Sequence, residues 1–236
     1  MRRRLRQIEM TFRTWGGKRR GAGRKPAGGK PLSSRRKRPA LLSRYPVLVT
    51  LRVREDVCSL RTKRAYQVIR QVFVAGCNVD GFRVTQFSIQ KNHLHLIAEA
   101  QDEAHLSRGM QGLSIRIARA LNREMTRRGK VFADRYHARV LKTPREVRNA
   151  VAYVANNFRH HTARVGLPLD YVDPCSSWAY FDGWRERIGR RQAAARVGDA
   201  PVAPPRTWLL RTGWRRHGLV SIAEIPGRIE REELIS

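Results

Sequence analysis

Acidic side chains are scarce in this sequence: over 236 residues, 19 Asp and Glu face 49 Lys and Arg, for a formal net charge of +30 at pH 7. A folded chain with that much charge of one sign repels itself unless a polyanion neutralises it. Nucleic acid is the economical partner, bound in a strongly salt-dependent way. Cysteine is nearly missing too. Cys58, Cys77 and Cys175 are odd in number and far apart, which excludes a disulfide framework and a C-x-x-C knuckle and suits a reducing compartment. No apolar run approaches the roughly 18 residues of a membrane span. No apolar stretch follows the charged first residues, so a secretory signal is not expected either. A P-loop is also lacking, which speaks against ATP-driven chemistry. These absences lead to the expectation of a soluble protein of the reducing cytoplasm.

Positive charge is concentrated at the start. Residues 1–44 hold 16 Lys and Arg and one acid, Glu9, so 16 − 1 = +15, half the total. The Gly-rich centre of this stretch has no apolar periodicity and cannot bury enough surface to offset its ordering entropy. Residues 1–44 are therefore expected to be a flexible DNA-contacting arm, with Arg19, Arg20, Arg24 and Lys25 as candidate contacts. The Gly23-Arg24-Lys25-Pro26 step is similar to minor-groove arms.

The pattern changes at Tyr45. Val47, Val49, Leu51 and Val53 alternate with other residues as in a strand. Ala65, Val68, Ile69, Val72 and Phe73 fall at helical spacing, with Gly76 as the expected stop. Two strand-like runs, Phe82–Gln90 and His93–Ala98, are joined tightly through Lys91 and Asn92 and read as a hairpin. Leu106, Met110, Leu113, Ile117 and Leu121 mark a second helix, ended by Gly129. A short strand near His137–Leu141 precedes a third helix whose start carries a capping box, Thr143-Pro144-Arg145-Glu146. The order β-α-β-β-α-β-α predicts an α+β fold: a ferredoxin-like split β-α-β core with an antiparallel sheet and an appended helix. The expected divisions are the arm at 1–44, a catalytic domain at 45–165 and a peripheral extension at 166–236, whose Trp-rich segment is expected to pack against the core.

Chemistry concentrates in two places. In a strand, His93 and His95 project from one face and Leu94 and Leu96 from the other, and two imidazoles about 7 Å apart along a strand can share one metal ion. A His-x-His pair is also found as a mere polar face. On the third helix, Val147, Ala150, Val151, Val154 and Phe158 form the buried stripe, while Tyr153 and Asn157, one turn apart, lie on its rim. A phenol and an amide so placed can serve one phosphate together, although a rim tyrosine is ordinary in an amphipathic helix. Asn156 competes with Asn157, and helical phase favours Asn157. Tyr136 reads as structural or DNA-contacting, and His105 as a surface residue. Arg116, Arg119 and Arg123 on the second helix are candidate DNA contacts.

Taken together, these residues resemble the HUH single-tyrosine transposases, in their REP-associated branch. The resemblance spans Tyr45 to His161. It rests on Tyr45-Pro46-Val47-Leu48-Val49-Thr50, His93-Leu94-His95, Phe132-Ala133-Asp134-Arg135-Tyr136 and Tyr153-Val154-Ala155-Asn156-Asn157. It implies that His93, His95 and Asn157 hold a divalent metal, Mg²⁺ or Mn²⁺, and that Tyr153 is the nucleophile. The implied activity is metal-dependent, ATP-independent cutting and rejoining of single-stranded or hairpin DNA, REP-like repeats among the implied substrates, through a 5′-phosphotyrosine link at the bacterial nucleoid. The enzyme would act as a monomer or homodimer with no membrane partner. Many relatives have proline after the Asn pair; here Phe158-Arg159-His160-His161 follows, so the helix either runs longer or presents its end differently. Two other readings stand beside this one: a descendant of the same fold that binds DNA without cutting it, and an RNA-binding ferredoxin-like module, for which the central strands are poor in aromatics.

Overall fold

The computed structural model describes residues 40–162, 168, 170–196 and 198–225; Arg19, Arg20, Arg24 and Lys25 lie outside them. Strand β1 (Val47–Arg52) is followed by α1 (Lys63–Gly76), a two-residue strand β2 (Asn78–Val79), β3 (Phe82–Ile89), β4 (His93–Ala100), α2 (Glu103–Glu124), β5 (His137–Val140) and α3 (Pro144–Thr162). All pairings are antiparallel, in the order β2-β3-β4-β1-β5. Apart from the added β2, this is the expected split β-α-β arrangement. Among the described residues, no helix is long and apolar enough to cross a membrane.

The sheet separates two cores. Val47, Val49 and Leu51 of β1 and Leu94, Leu96 and Ala98 of β4 face α1 and α2, with Ile69, Phe73, Leu113 and Ile117 packed against them. Leu48 and Ile97 point the other way, onto Val147, Ala150, Val151 and Val154 of α3. Strand alternation alone produces this division. In β3 the apolar spacing Phe82, Val84, Phe87, Ile89 breaks period two. A register shift between Val84 and Gln86 absorbs the extra residue, and the Thr85 hydroxyl donates to the Ile97 carbonyl across it. This bulge keeps all four apolar side chains in one core and leaves Gln86 and Ser88 on the α3 face.

The hairpin between β3 and β4 has the expected Lys91–Asn92 tip without glycine. Neither residue has positive φ. The tip is held from outside instead: Leu60 N–H donates to the Lys91 carbonyl and Val53 N–H to that of Asn92. Helix α1 stops at Gly76, as expected, and a Cβ there would come within 2.3 Å of the Arg116 guanidinium, so the bare residue also lets that side chain lie across the helix end. Helix α2 ends at Glu124, before Gly129; Thr126, at φ 47°, turns the chain.

The capping box forms as predicted. Glu146 N–H donates to Thr143 Oγ1, and Thr143 N–H donates back to the Glu146 carboxylate. Burial alone would raise the Glu146 pKa, but donors from the Lys142 and Thr143 backbone, with Arg139 nearby, outweigh it and hold the carboxyl below its usual value. A depressed carboxylate pKa contributes stability above the unfolded value and loses it as pH falls through the folded one. Glu146→Ala should therefore cost about 1 kcal/mol at pH 7, and the difference from the parent should shrink below about pH 4, read by urea denaturation at both pH values.

Residues 170–225 complete both cores. Phe181, Trp184, Leu209, Leu210 and Trp214 pack on α3, as expected for the Trp-rich stretch, while Cys175, Val202 and Ala203 join the other cluster. Asn156 donates to the Ser221 carbonyl, Arg159 to that of Ile222, and Arg148 pairs with Glu224. Asp173, fully buried, receives both terminal nitrogens of Arg61 at 2.7 and 2.8 Å. Asp173→Ala leaves that guanidinium without its carboxylate and should cost about 3 kcal/mol, the low end for a buried pair because Arg61 retains some exposure. A lowered denaturation midpoint with an unchanged slope is the expected result.

Candidate active site

Cross-strand register assembles a polar patch on the α3 face. Thr50 stands opposite His95, Arg52 opposite His93, Ser88 opposite His95 on the other side, and His137 opposite Thr50. The rings of His93 and His95 lie 4.6 Å apart between centroids, edge to face. His93 Nδ1 is 2.8 Å from Asn92 Oδ1, and because that oxygen only accepts, Nδ1 carries the proton. His95 Nδ1 is 3.0 Å from Thr50 Oγ1.

Helix α3 brings Tyr153 to this patch. Its hydroxyl lies 3.1 Å from His95 Nε2, and the two rings meet edge to face at 4.9 Å. Both partners of His95 are hydroxyls, which donate or accept, so its two ring nitrogens are engaged from opposite sides in either tautomer. Burial raises the Tyr153 pKa above its ordinary value, so the phenol is protonated at neutral pH.

Asn157, one turn beyond Tyr153, is 2% exposed, so it lies inside the protein where the helical phase had suggested the rim. The next helical layer is covered by the segment around Ser221 and Ile222, which the α3 sequence does not reveal. The Asn157 side-chain nitrogen is buried without a hydrogen-bond partner. Asn156 is committed to the Ser221 carbonyl, a structural role. Among the described residues, no group of three or more His, Cys, Asp or Glu side chains could hold a metal; any ion here would need the two imidazoles completed by other donors.

The remaining candidates sit elsewhere. Arg119 and Arg123 are exposed on α2, which packs on the opposite face of the sheet from the histidines. Arg116 is folded over Gly76. His105 is not a plain surface residue: its side chain is 19% exposed and bonds Asp102 at 2.8 Å. Three neighbours escaped the sequence reading. Asn92 was visible as the residue before His93, whereas Thr50 and Arg52 required the β1–β4 register.

No curated protein matches the chain in sequence. A solved REP-associated tyrosine transposase bound to a REP hairpin is similar at 14% identity with a TM-score of 0.47, covering 74% of this chain and 99% of that one. The sequence profile described as "Transposase IS200 like" matches residues 42–157. That span includes β1, the imidazole pair on β4 and α3 as far as Asn157, and through it the chain belongs to the IS200-like transposase family.

Proposed function

We propose that the protein cuts and rejoins single-stranded or hairpin DNA through a 5′-phosphotyrosine intermediate on Tyr153, with a divalent metal and without ATP. The observation that carries this reading is the contact between the phenol and the imidazole pair, 3.1 Å from Tyr153 to His95. A family of DNA transposases needs a nucleophile and a means of stabilising charge on phosphate, and this cluster offers both in one place.

The donor set suits a divalent ion. His93 and His95 are tied through Nδ1 by Asn92 and Thr50, the usual way a protein aims Nε2 at a metal. Asn157 supports the same reading: its amide has a buried, unpartnered nitrogen, and a half-turn of that amide exchanges nitrogen for oxygen. We assign His93, His95 and Asn157 as the ligands. Imidazole favours Mn²⁺ over Mg²⁺, which prefers an all-oxygen shell. When bound, the ion polarises the scissile phosphate.

The chain's own groups do the rest. Tyr153 is presented on a rigid helix, with its hydroxyl already at the site. Its hydrogen bond uses His95 Nε2, the same nitrogen a metal would take, so the phenol is held in place until the site is loaded. In-line attack makes a bond from the phenolic oxygen to phosphorus, with the phenol's proton passing to solvent, and breaks the bond to the 3′-oxygen, which takes up a proton and leaves as a hydroxyl. The phosphotyrosine ester conserves the diester's energy, so attack by a 3′-hydroxyl restores DNA without ATP. Arg52, exposed beside His93, is placed to grip a flanking phosphate, and the basic residues 1–44 add further phosphate contacts. Arg52→Ala should weaken DNA binding severalfold and lower the salt slope by about one ion, measured by fluorescence anisotropy over a salt series.

The test is direct. The protein is incubated with end-labelled single-stranded and REP-like hairpin oligonucleotides and Mn²⁺, and the mixture is run on a denaturing gel. A labelled species migrating with the protein is expected. DNA that binds tightly yet yields neither nicks nor adduct would favour the non-cutting descendant.

A further inference from the structure

A cavity of about 490 Å³ opens between β3, α3 and the residues after 178. Its lining includes the half-buried Tyr180, backed by Phe181 and Trp214, which stack on each other at 5.7 Å between centroids and are only 4% and 1% exposed. From the sheet, the β3 bulge contributes Thr85 and Gln86. The Gln86 carboxamide oxygen accepts from the Ser177 hydroxyl, so the amide presents N–H donors to a ligand. Arg196, Arg211 and Arg215 stand around the opening. Asp182, the one acid among the described lining residues, is engaged by Arg215 at 2.7 Å. Arg196 and Arg211 are exposed and remain as excess positive charge. Arg196 also extends over the Tyr180 ring, 5.7 Å from its centroid.

We propose that this cavity receives one unpaired nucleotide of the bound DNA strand, with its base against the Tyr180 ring and its phosphate on Arg196 and Arg211. Three observations converge on that occupant. The volume falls within the roughly 300–1,000 Å³ of small-ligand pockets. Aromatic rings combined with arginine are the usual platform for an unstacked base. Position is the third. Gln86 pairs with Ile97, and Ser88 pairs with His95, so the cavity begins about 7 Å along the sheet from the histidine row. A strand whose phosphate lies at the phenol passes this opening with its neighbouring nucleotides. The proposal rests on the reading of the chain as an enzyme of single-stranded DNA and adds a specificity site that the transposition chemistry does not itself require.

Photocrosslinking tests it independently of cutting. Full-length Tyr153→Phe protein, without metal, is irradiated with randomised 20-nucleotide single strands carrying 5-iodouracil in one arm and 8-bromopurines in another, and adducts are mapped by peptide mass spectrometry. Crosslinks to Tyr180 are expected in at least one arm. Arg196→Glu combined with Arg211→Glu should reduce them at least tenfold relative to crosslinks elsewhere on the protein. Both arginines are exposed, so the double variant should fold, and the parent map decides the matter by itself if it does not. Crosslinks confined to other surfaces, or cavity crosslinks undiminished in the double variant, would overturn the proposal. A parent protein that crosslinks here yet never forms a covalent tyrosine adduct would sink the cutting activity and leave the nucleotide site standing.

Discussion

Tyr153→Phe should form no covalent protein–DNA adduct at any metal concentration, while binding the same oligonucleotide within about twofold of the parent. On the proposed assignment the substitution removes the attacking oxygen itself, so the expected loss is complete in kind. Folding should be little affected. The ring is half-buried against α3's neighbours, and Phe retains that packing; only the 3.1 Å bond to His95 disappears, at a cost of about 1 kcal/mol. Binding should survive because it resides in arginines and backbone donors that the substitution does not touch. The readouts are a denaturing gel for the adduct and anisotropy for affinity. An adduct of undiminished intensity in the variant would assign the nucleophile elsewhere, with Tyr136, before β5, the next tyrosine to examine.

The second large effect is expected from His93→Ala with His95→Ala. Lewis-acid stabilisation of a phosphoryl transition state is worth several kcal/mol, so losing about 4 kcal/mol of it lowers the cleavage rate about a thousandfold. Salt-sensitive DNA binding should persist. Residual cleavage should no longer depend on Mn²⁺, measured as rate against metal concentration, and that insensitivity separates lost ligation from general damage. His95 is the riskier position structurally, being 5% exposed and bonded to both Thr50 and Tyr153. His93 is more open, so the single variant His93→Ala reports on metal dependence with less disturbance. A double variant that still cuts with full metal response would remove the imidazoles from the mechanism.

Much of the architecture was legible because two periodicities carry it. Alternation in β1 and β4 sorts Leu94 and Leu96 from His93 and His95 without any tertiary information. The stripe Val147, Ala150, Val151 and Val154 fixes the buried face of α3, and the Thr143–Glu146 box marks its start. The absence of proline after Asn157 agrees with a helix continuing to Thr162. Other features were hidden because their causes are non-local. Gly76 ends α1 as its spacing suggests, but the Arg116 guanidinium lying over it does not show in the sequence. The Lys91–Asn92 turn looks poorly suited to a hairpin until Leu60 and Val53 are seen holding its carbonyls.

By itself the sequence determined the basic character of the molecule, the order of its elements and which side chains could carry chemistry, since each is a property of composition or short-range spacing. Register and packing were decided only by the folded chain. Sheet order sets Thr50 beside His95, and the seating of α3 delivers the Tyr153 hydroxyl to that ring. The segment around Ser221 covers the next turn, claiming Asn156 through its amide and leaving the Asn157 nitrogen buried. Spacing along a strand or helix constrains the direction of a side chain but not the partner it meets. Partners come from contacts between segments tens of residues apart, whose geometry is fixed when the whole apolar surface is buried at once.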